Sequence, residues 1–265
     1  MAEQKAIIVG ISGCSSSGKT TLARLLRDIF PNAFVLHEDD FYRPESEQPK
    51  KGDLLDWDSI ESLNVPQMER SLTYIRQAGK FPPDLDSKED QNSVGACPVP
   101  DSKIAELKQK VADWTRPGQP GHDVLVPEKL SLCLLDGFLL YYPPRLDAVM
   151  SSIDLRLFLL VSRDKAIQRR KARTGYVTLE GFWEDPEGYV EEIVWPNYAE
   201  AHAWLFEGGD VEGKVDEAAR ASRDIRVQQG EALDVDMSAT LEWAVNTILE
   251  ELPPKASARK NQQTH

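Results

Sequence analysis

Gly13-Cys14-Ser15-Ser16-Ser17-Gly18-Lys19-Thr20 satisfies the spacing G-x-x-x-x-G-K-[ST], a pattern whose chemistry depends on its residue types. Glycines at both ends let the backbone wrap an anion with its N–H groups, and a helix beginning near Gly18 aims its positive dipole end at the same point. Lys19 is placed to reach the β- and γ-phosphates of a nucleoside triphosphate, and the Thr20 hydroxyl to ligate Mg²⁺, with Thr21 next on the same turn. The metal calls for a carboxylate at a strand end, and Asp136 in Cys133-Leu134-Leu135-Asp136-Gly137 closes an apolar run as that group should. The Asn-Lys-x-Asp tetrapeptide that reads guanine is absent from the chain. ATP or a broad nucleotide preference is therefore expected, and a switch GTPase is set aside.

Asp39-Asp40-Phe41-Tyr42 supplies a second acidic point. An acceptor hydroxyl needs a carboxylate within hydrogen-bond reach to orient it and take its proton. Asp39, expected to close a strand lying beside the glycine-rich one, can face the γ-phosphate, while Asp40 points elsewhere if the backbone is still extended. Arg169, Arg170 and Arg173 fall on one basic helix, with Arg169 and Arg173 one turn apart on a shared face. Such a face can close over a triphosphate, supply positive charge to the transition state and expel water. Cys14 has no histidine near it in sequence and reads as a small loop residue. His37, His122, His202 and His265 lack ligand spacing and receive no role.

The elements that must position these groups follow from periodicity. Ala6 to Ile11 is a continuous β-branched run, as expected of a strand buried on both faces of a parallel sheet. Lys19 to Phe30 repeats leucines at helical spacing and stops at Pro31. Ala33 to Leu36, Leu130 to Leu135, Ile153 to Val161 and a weak Ile225 to Gln228 add four strands. A helix is predicted from an N-cap at Ser59 to about Gly79, another over Asp164 to Arg173, and a longer one over Asp185 to Phe206. Ser238 is read as the cap of a closing helix that Pro253-Pro254 end. The fold expected is α/β, a doubly wound parallel five-stranded sheet with a helical lid, as one domain over 1–252. Within it, 163–206 form the lid and its following helix. Residues 80–128 hold seven of the chain's 17 prolines and read as an insertion or mobile loop, separable from the core. Residues 207–221 read as a surface insertion, and the basic stretch 253–265 as a disordered tail.

A net charge of −13 argues against nucleic acid or anionic membrane as a partner. Three cysteines without C-x-x-C spacing suggest neither a disulfide framework nor a zinc site, and a reducing compartment fits. No signal peptide or membrane span is read from the pattern, so a cytoplasmic or nuclear chain is expected, with a monomer as the favoured state.

Taken together, Gly13 to Thr20, Asp39-Asp40-Phe41-Tyr42-Arg43-Pro44-Glu45, Asp56-Trp57-Asp58, Asp136-Gly137-Phe138, Arg169-Arg170-x-x-Arg173 and Trp195-Pro196-x-Tyr198 resemble the nicotinamide riboside kinases, within the uridine-kinase-like branch of P-loop nucleoside kinases. The resemblance runs from about Ile7 to Tyr198 and again over the last helix. It implies ATP- and Mg²⁺-dependent phosphorylation of the riboside 5′-hydroxyl, feeding NAD synthesis. It also implies that Asp39 contacts that hydroxyl and the metal, and that Trp57 and Asp58 hold base and ribose. On the substrate side it places Asp40, Phe41, Tyr42, Asp136, Arg170 and Tyr176. The nucleotide side receives Arg169, Arg173 and the loop Asp234, Val235, Asp236 beside adenine. The chain departs from the family pattern with Asp136 in place of Glu, Trp57 in place of Tyr, the insertions at 80–128 and 207–221, and one extra residue between Arg173 and Tyr176. A uridine or cytidine kinase is the alternative within the class. A non-catalytic ATP-sensing P-loop regulator is the alternative outside it.

Overall fold

The structure, a computed structural model, describes residues 4–87, 95–125, 130–173, 175–178, 181–228 and 232–263. Strand β1 (Ala6–Gly13) is buried along its whole length and leads through the glycine-rich turn into α1 (Lys19–Ile29). The chain continues as β2 (Ala33–His37), a small hairpin of β3 (Lys50–Lys51) and β4 (Leu54–Leu55), and α2 (Val65–Ala78). The side chain of Asn64, rather than Ser59, caps α2 by accepting from Gln67 N at 3.2 Å; Ser59 precedes a single 3₁₀ turn instead. Helices α3 (Asp101–Trp114) and α4 (His122–Leu125) precede β5 (Ser131–Asp136). Then come α5 (Asp147–Ser151), β6 (Leu155–Leu159), α6 (Arg163–Lys171) and the hairpin β7 (Tyr176–Thr178) and β8 (Gly181–Trp183). A π-helical turn over Val190–Val194 runs into α7 (Trp195–His202), so the helix expected from Asp185 starts later. Pro196 lacks the N–H that the Glu192 carbonyl would take in an α-helix, and the wider turn falls just before it. Helix α8 (Glu217–Ser222), β9 (Ile225–Val227) and α9 (Met237–Gln263) complete the chain.

Five strands form one parallel sheet in the order β2-β5-β1-β6-β9. The expectation that β2 lies beside β1 is corrected: β5 sits between them, with Asp136 in register with both Ile11 and His37. Alternate strand residues serve two cores. Ala6, Ile8, Cys133, Leu135 and Phe158 meet α2, α5 and α7 on one face. Ile7, Val9, Ile11, Leu132, Leu134 and Leu157 meet α1, α3 and α9 on the other. This double burial is why the strands read as unbroken apolar runs rather than alternating ones.

Three expectations about the less regular segments change. The 80–128 segment is not a loose loop where it is described: α3 buries Leu107 and Val111 completely, and Val99, Val124 and Leu125 join the same core; 88–94 and 126–129 lie outside the described residues. The 207–221 segment is anchored as well, since Val211 and Val215 are buried and Val215 bridges to Phe206. Pro253-Pro254 do not end the last helix, which continues to Gln263. Each proline keeps a helical φ but removes one donor and crowds the carbonyl four residues back, so the helix runs on past both rings at a cost. Asp236, not Ser238, caps this helix, accepting from Ser238 N at 2.9 Å and Ala239 N at 3.1 Å.

Candidate active site

The turn between β1 and α1 is folded by its own backbone. Gly13 (φ 142°), Ser16 (φ 64°) and Gly18 (φ 105°) all have positive φ, and a Cβ at Gly13 would lie 2.5 Å from Leu159 O. Only glycine fits there. Ser17 N donates to Cys14 O at 3.1 Å, and Lys19 Nζ donates to the same carbonyl at 2.9 Å. The ammonium is thereby held over the loop whose N–H groups form the cradle. The Cys14 side chain points into the core, where burial pushes its thiol up to about 12. It therefore serves the loop through its backbone.

At the adjoining strand ends, Asp136 is buried with Lys19, Thr20 and His37 around it. Burial opposes its ionisation, but the His37 hydrogen bond and the nearby Lys19 and Thr20 hold the carboxyl below its usual range. His37 Nδ1 lies 3.2 Å from Asp136 Oδ2, a pairing that follows from the register of β2 with β5. Asp39 does not close β2. It lies in a 3₁₀ turn over Glu38–Phe41, half-buried, with Asp40 buried behind it. The turn is held by Glu38, whose Oε2 accepts from Leu139 N at 2.9 Å. Desolvation raises the Glu38 carboxyl to about 7, against the pull of the Leu139 and Phe138 N–H groups and Lys19. A Cβ at Gly137 would meet Glu38 Oε2 at 2.6 Å, which accounts for the glycine after Asp136. Periodicity pointed to neither Glu38 nor His37; their signal lay in adjacency to Asp39 and in the strand order. Phe41 is fully buried in the core and is withdrawn as a substrate contact, because the 3₁₀ turn rotates it inward.

The lid side is built from tertiary contacts. Arg169 Nη1 donates to Ser16 O at 3.3 Å and Ser17 O at 3.4 Å, so α6 rests on the glycine-rich turn. Arg170 Nη1 reaches Ser15 Oγ at 2.7 Å, and the same guanidinium pairs with Asp58 and Asp185. Arg173 is not on the helix: α6 ends at Lys171, and Arg173 follows, exposed, lining a cavity of about 240 Å³ with Arg170, Asp185 and Tyr189. Trp57 is buried, edge-on to Tyr42 with ring centroids 5.4 Å apart and 5.6 Å from Trp183. Tyr189, another residue without a sequence signal, accepts from Trp57 N at 3.0 Å and donates to Asp58 Oδ2 at 3.1 Å. Asp56 accepts from Asn197 Nδ2 at 2.9 and 3.0 Å and, through Oδ1, from Asp58 N at 3.1 Å. Tyr176 opens β7, and its side chain lies outside the described residues. Asp234 accepts from Ser162 N and Ser162 Oγ at 3.0 and 2.7 Å, fixing the start of α6. Asp236 is committed to the cap of α9, whose Met237 side chain sits against Gly18. The Asp234, Val235, Asp236 loop is thus brought beside the phosphate turn.

Among curated proteins, a nicotinamide riboside kinase of Schizosaccharomyces pombe is 38% identical over 94% of this chain and 99% of its own length. One from Saccharomyces cerevisiae is 33% identical over 94% and 98%. The chain belongs to the nicotinamide riboside kinase family. No family model matches it. Among solved structures, a sugar kinase from Janibacter sp. HTCC2649 is similar at 14% identity and a TM-score of 0.40, over 94% of this chain and 98% of that one. Among the described residues no helix is long and apolar enough to cross a membrane.

The Thr20 hydroxyl beside the buried Asp136 carboxylate offers oxygen donors of the kind a hard divalent cation takes.

Proposed function

We propose that the chain transfers the γ-phosphoryl group of ATP to the 5′-hydroxyl of nicotinamide riboside, or of nicotinic acid riboside, giving the mononucleotide, ADP and a proton and so feeding NAD synthesis. The observation that carries the reading is the convergence of Lys19, Thr20 and Asp136 beside the turn that holds Asp39, in a chain with this family membership.

In this reading the backbone of Gly13 to Gly18 and Thr21 binds the phosphates, and Lys19 bridges the β- and γ-groups. Asp39 accepts the proton of the 5′-hydroxyl as it attacks. Thr20 and Asp136, with Asp39 from the neighbouring turn, would hold Mg²⁺, which would neutralise charge on the phosphate oxygens. Arg169 and Arg173 add positive charge from the lid, and the Asp234 to Asp236 loop borders adenine. Asp58 with Arg170 holds the ribose hydroxyls, and Trp57 with Tyr42 offers ring faces to the base. Asp40 and Tyr176 complete the acceptor side. The reaction takes place in one domain, in a chain read as cytoplasmic.

ATP turnover measured with nicotinamide riboside, uridine, cytidine and no nucleoside tests this directly. Turnover should require the nicotinamide riboside, and Asp39→Asn should lower kcat by about 10² or more while ATP binding persists. Preference for uridine would replace the substrate, and nucleoside-independent or absent turnover would leave an ATP-sensing regulator.

A further inference from the structure

Arg170, 8% exposed, meets two carboxylates in two different ways. Toward Asp185 it presents Nε and Nη2, which donate to Oδ2 and Oδ1 at 2.7 and 3.0 Å. Toward Asp58 it presents Nη1 and Nη2, at 3.2 and 3.4 Å. The first contact is a short bidentate fork and the second a stretched one. Asp185 is steadied in turn by Trp183, whose Nε1 donates to Oδ1 at 3.1 Å. The direction of Arg170 is therefore set from the 183–185 segment. Asp58 retains its other donor, the Tyr189 hydroxyl at 3.1 Å, whichever way Arg170 leans.

We infer that Asp185 is a positioning residue for the nucleoside: it holds Arg170 against Ser15 so that Asp58 can exchange its long Arg170 contact for a hydroxyl of the riboside. The inference rests on the riboside-kinase reading and deepens it. A guanidinium buried between two anions is shared between them, and deleting one leaves the whole attraction to the other. Without a charge at 185, Arg170 closes onto Asp58 and occupies the acceptor atoms that the riboside needs. The phosphate turn, whose fold depends on its own backbone, is affected much less.

Steady-state kinetics separate the two substrates. Asp185→Asn should raise KM for nicotinamide riboside about tenfold, with KM for ATP within about twofold and kcat within about threefold of wild type. Asp185→Glu, which keeps the charge, should recover most of the loss. In the double variant Asp58→Asn/Asp185→Asn the riboside KM should match that of Asp58→Asn alone, because no acceptor remains for Arg170 to block. A riboside KM within about twofold of wild type, or equal rises in both KM values, overturns the inference. So does loss of ATP binding in both Asp185→Asn and Asp185→Glu, which would make the pair purely structural. Absence of wild-type turnover with the riboside defeats the riboside reading itself. A null result at 185 with wild-type turnover intact defeats only the role of Asp185.

Discussion

The phosphate side and the lid side of the site are built in opposite ways. From Gly13 to Thr20 one turn supplies the cradle, and the side-chain bond made within it, Lys19 to Cys14 O, spans five residues, although Arg169 and Arg170 also dock on it from α6. On the lid side, Arg170 joins Asp185 across 15 residues and Asp58 across 112, and Tyr189 joins Asp58 across 131. The first is formed by local backbone geometry. The second exists only when three distant segments have packed together. The difference teaches that damage to the turn should fall on the nucleotide, and damage to the lid network on the acceptor.

The strongest way to break that division is Lys19→Ala. Its charge meets phosphate in ground and transition states alike, so ATP affinity and kcat should fall together, lowering kcat/KM for ATP by about 10³-fold, roughly 4 kcal/mol. Equilibrium ATP binding and initial rates measure it. Retained ATP affinity would show that the cradle does not depend on this lysine and would blur the contrast.

A middle-sized effect should touch neither half. Leu107 of α3 is fully buried in the core shared with α1 and α9. Leu107→Ala should cost about 3 kcal/mol of unfolding free energy with both KM values unchanged. Denaturant unfolding gives the cost. A loss below about 1 kcal/mol would mean that α3 is only laid on the surface and that the proline-rich segment is removable after all.

The same locality decides how much could be read from the chain. Strands buried on both faces announce themselves as apolar runs, so β1, β5 and β6 were legible in full while the shorter, part-exposed β2 and β9 gave weaker signals, and the Gly13 to Thr20 turn carries its chemistry in eight consecutive residues. The order of the strands was not legible: β5 enters between β1 and β2 long after β2 has ended, and nothing local marks the gap it fills. With that order went the His37 pairing to Asp136, which is a register contact across β2 and β5. Phe41, placed on the acceptor side by the resemblance, turns into the core because the chain leaves the extended strand for a 3₁₀ turn over Glu38–Phe41. Asp185 sits in Glu184-Asp185-Pro186 with no spacing to a partner, and only the docking of α6 on that segment gives it meaning. The apolar spacing of α3, with Leu107 and Val111 one turn apart, was visible, but the surrounding prolines outweighed it.

The smallest effect bears most closely on what the lid side recognises. Nicotinamide riboside carries a fixed positive charge on its ring, and uridine carries none. Trp57 is buried between Tyr42 and Trp183, with the buried carboxylates of Asp56 and Asp58 on either side of it in the chain. An indole face attracts a cation more strongly than a phenyl face, within a total of about 0.5–2 kcal/mol for such contacts. Trp57→Phe keeps an aromatic ring in the cluster and removes part of that attraction. KM for nicotinamide riboside should therefore rise about threefold, roughly 0.6 kcal/mol, with kcat unchanged because stacking is alike in ground and transition states. KM for uridine, measured on the same preparation, should barely move. An equal rise for both nucleosides would make Trp57 a packing residue of the lid cluster and shift the discrimination of charge onto Asp56 and Asp58. A rise in KM for ATP instead would couple this cluster to the phosphate turn and dissolve the division between the two sides.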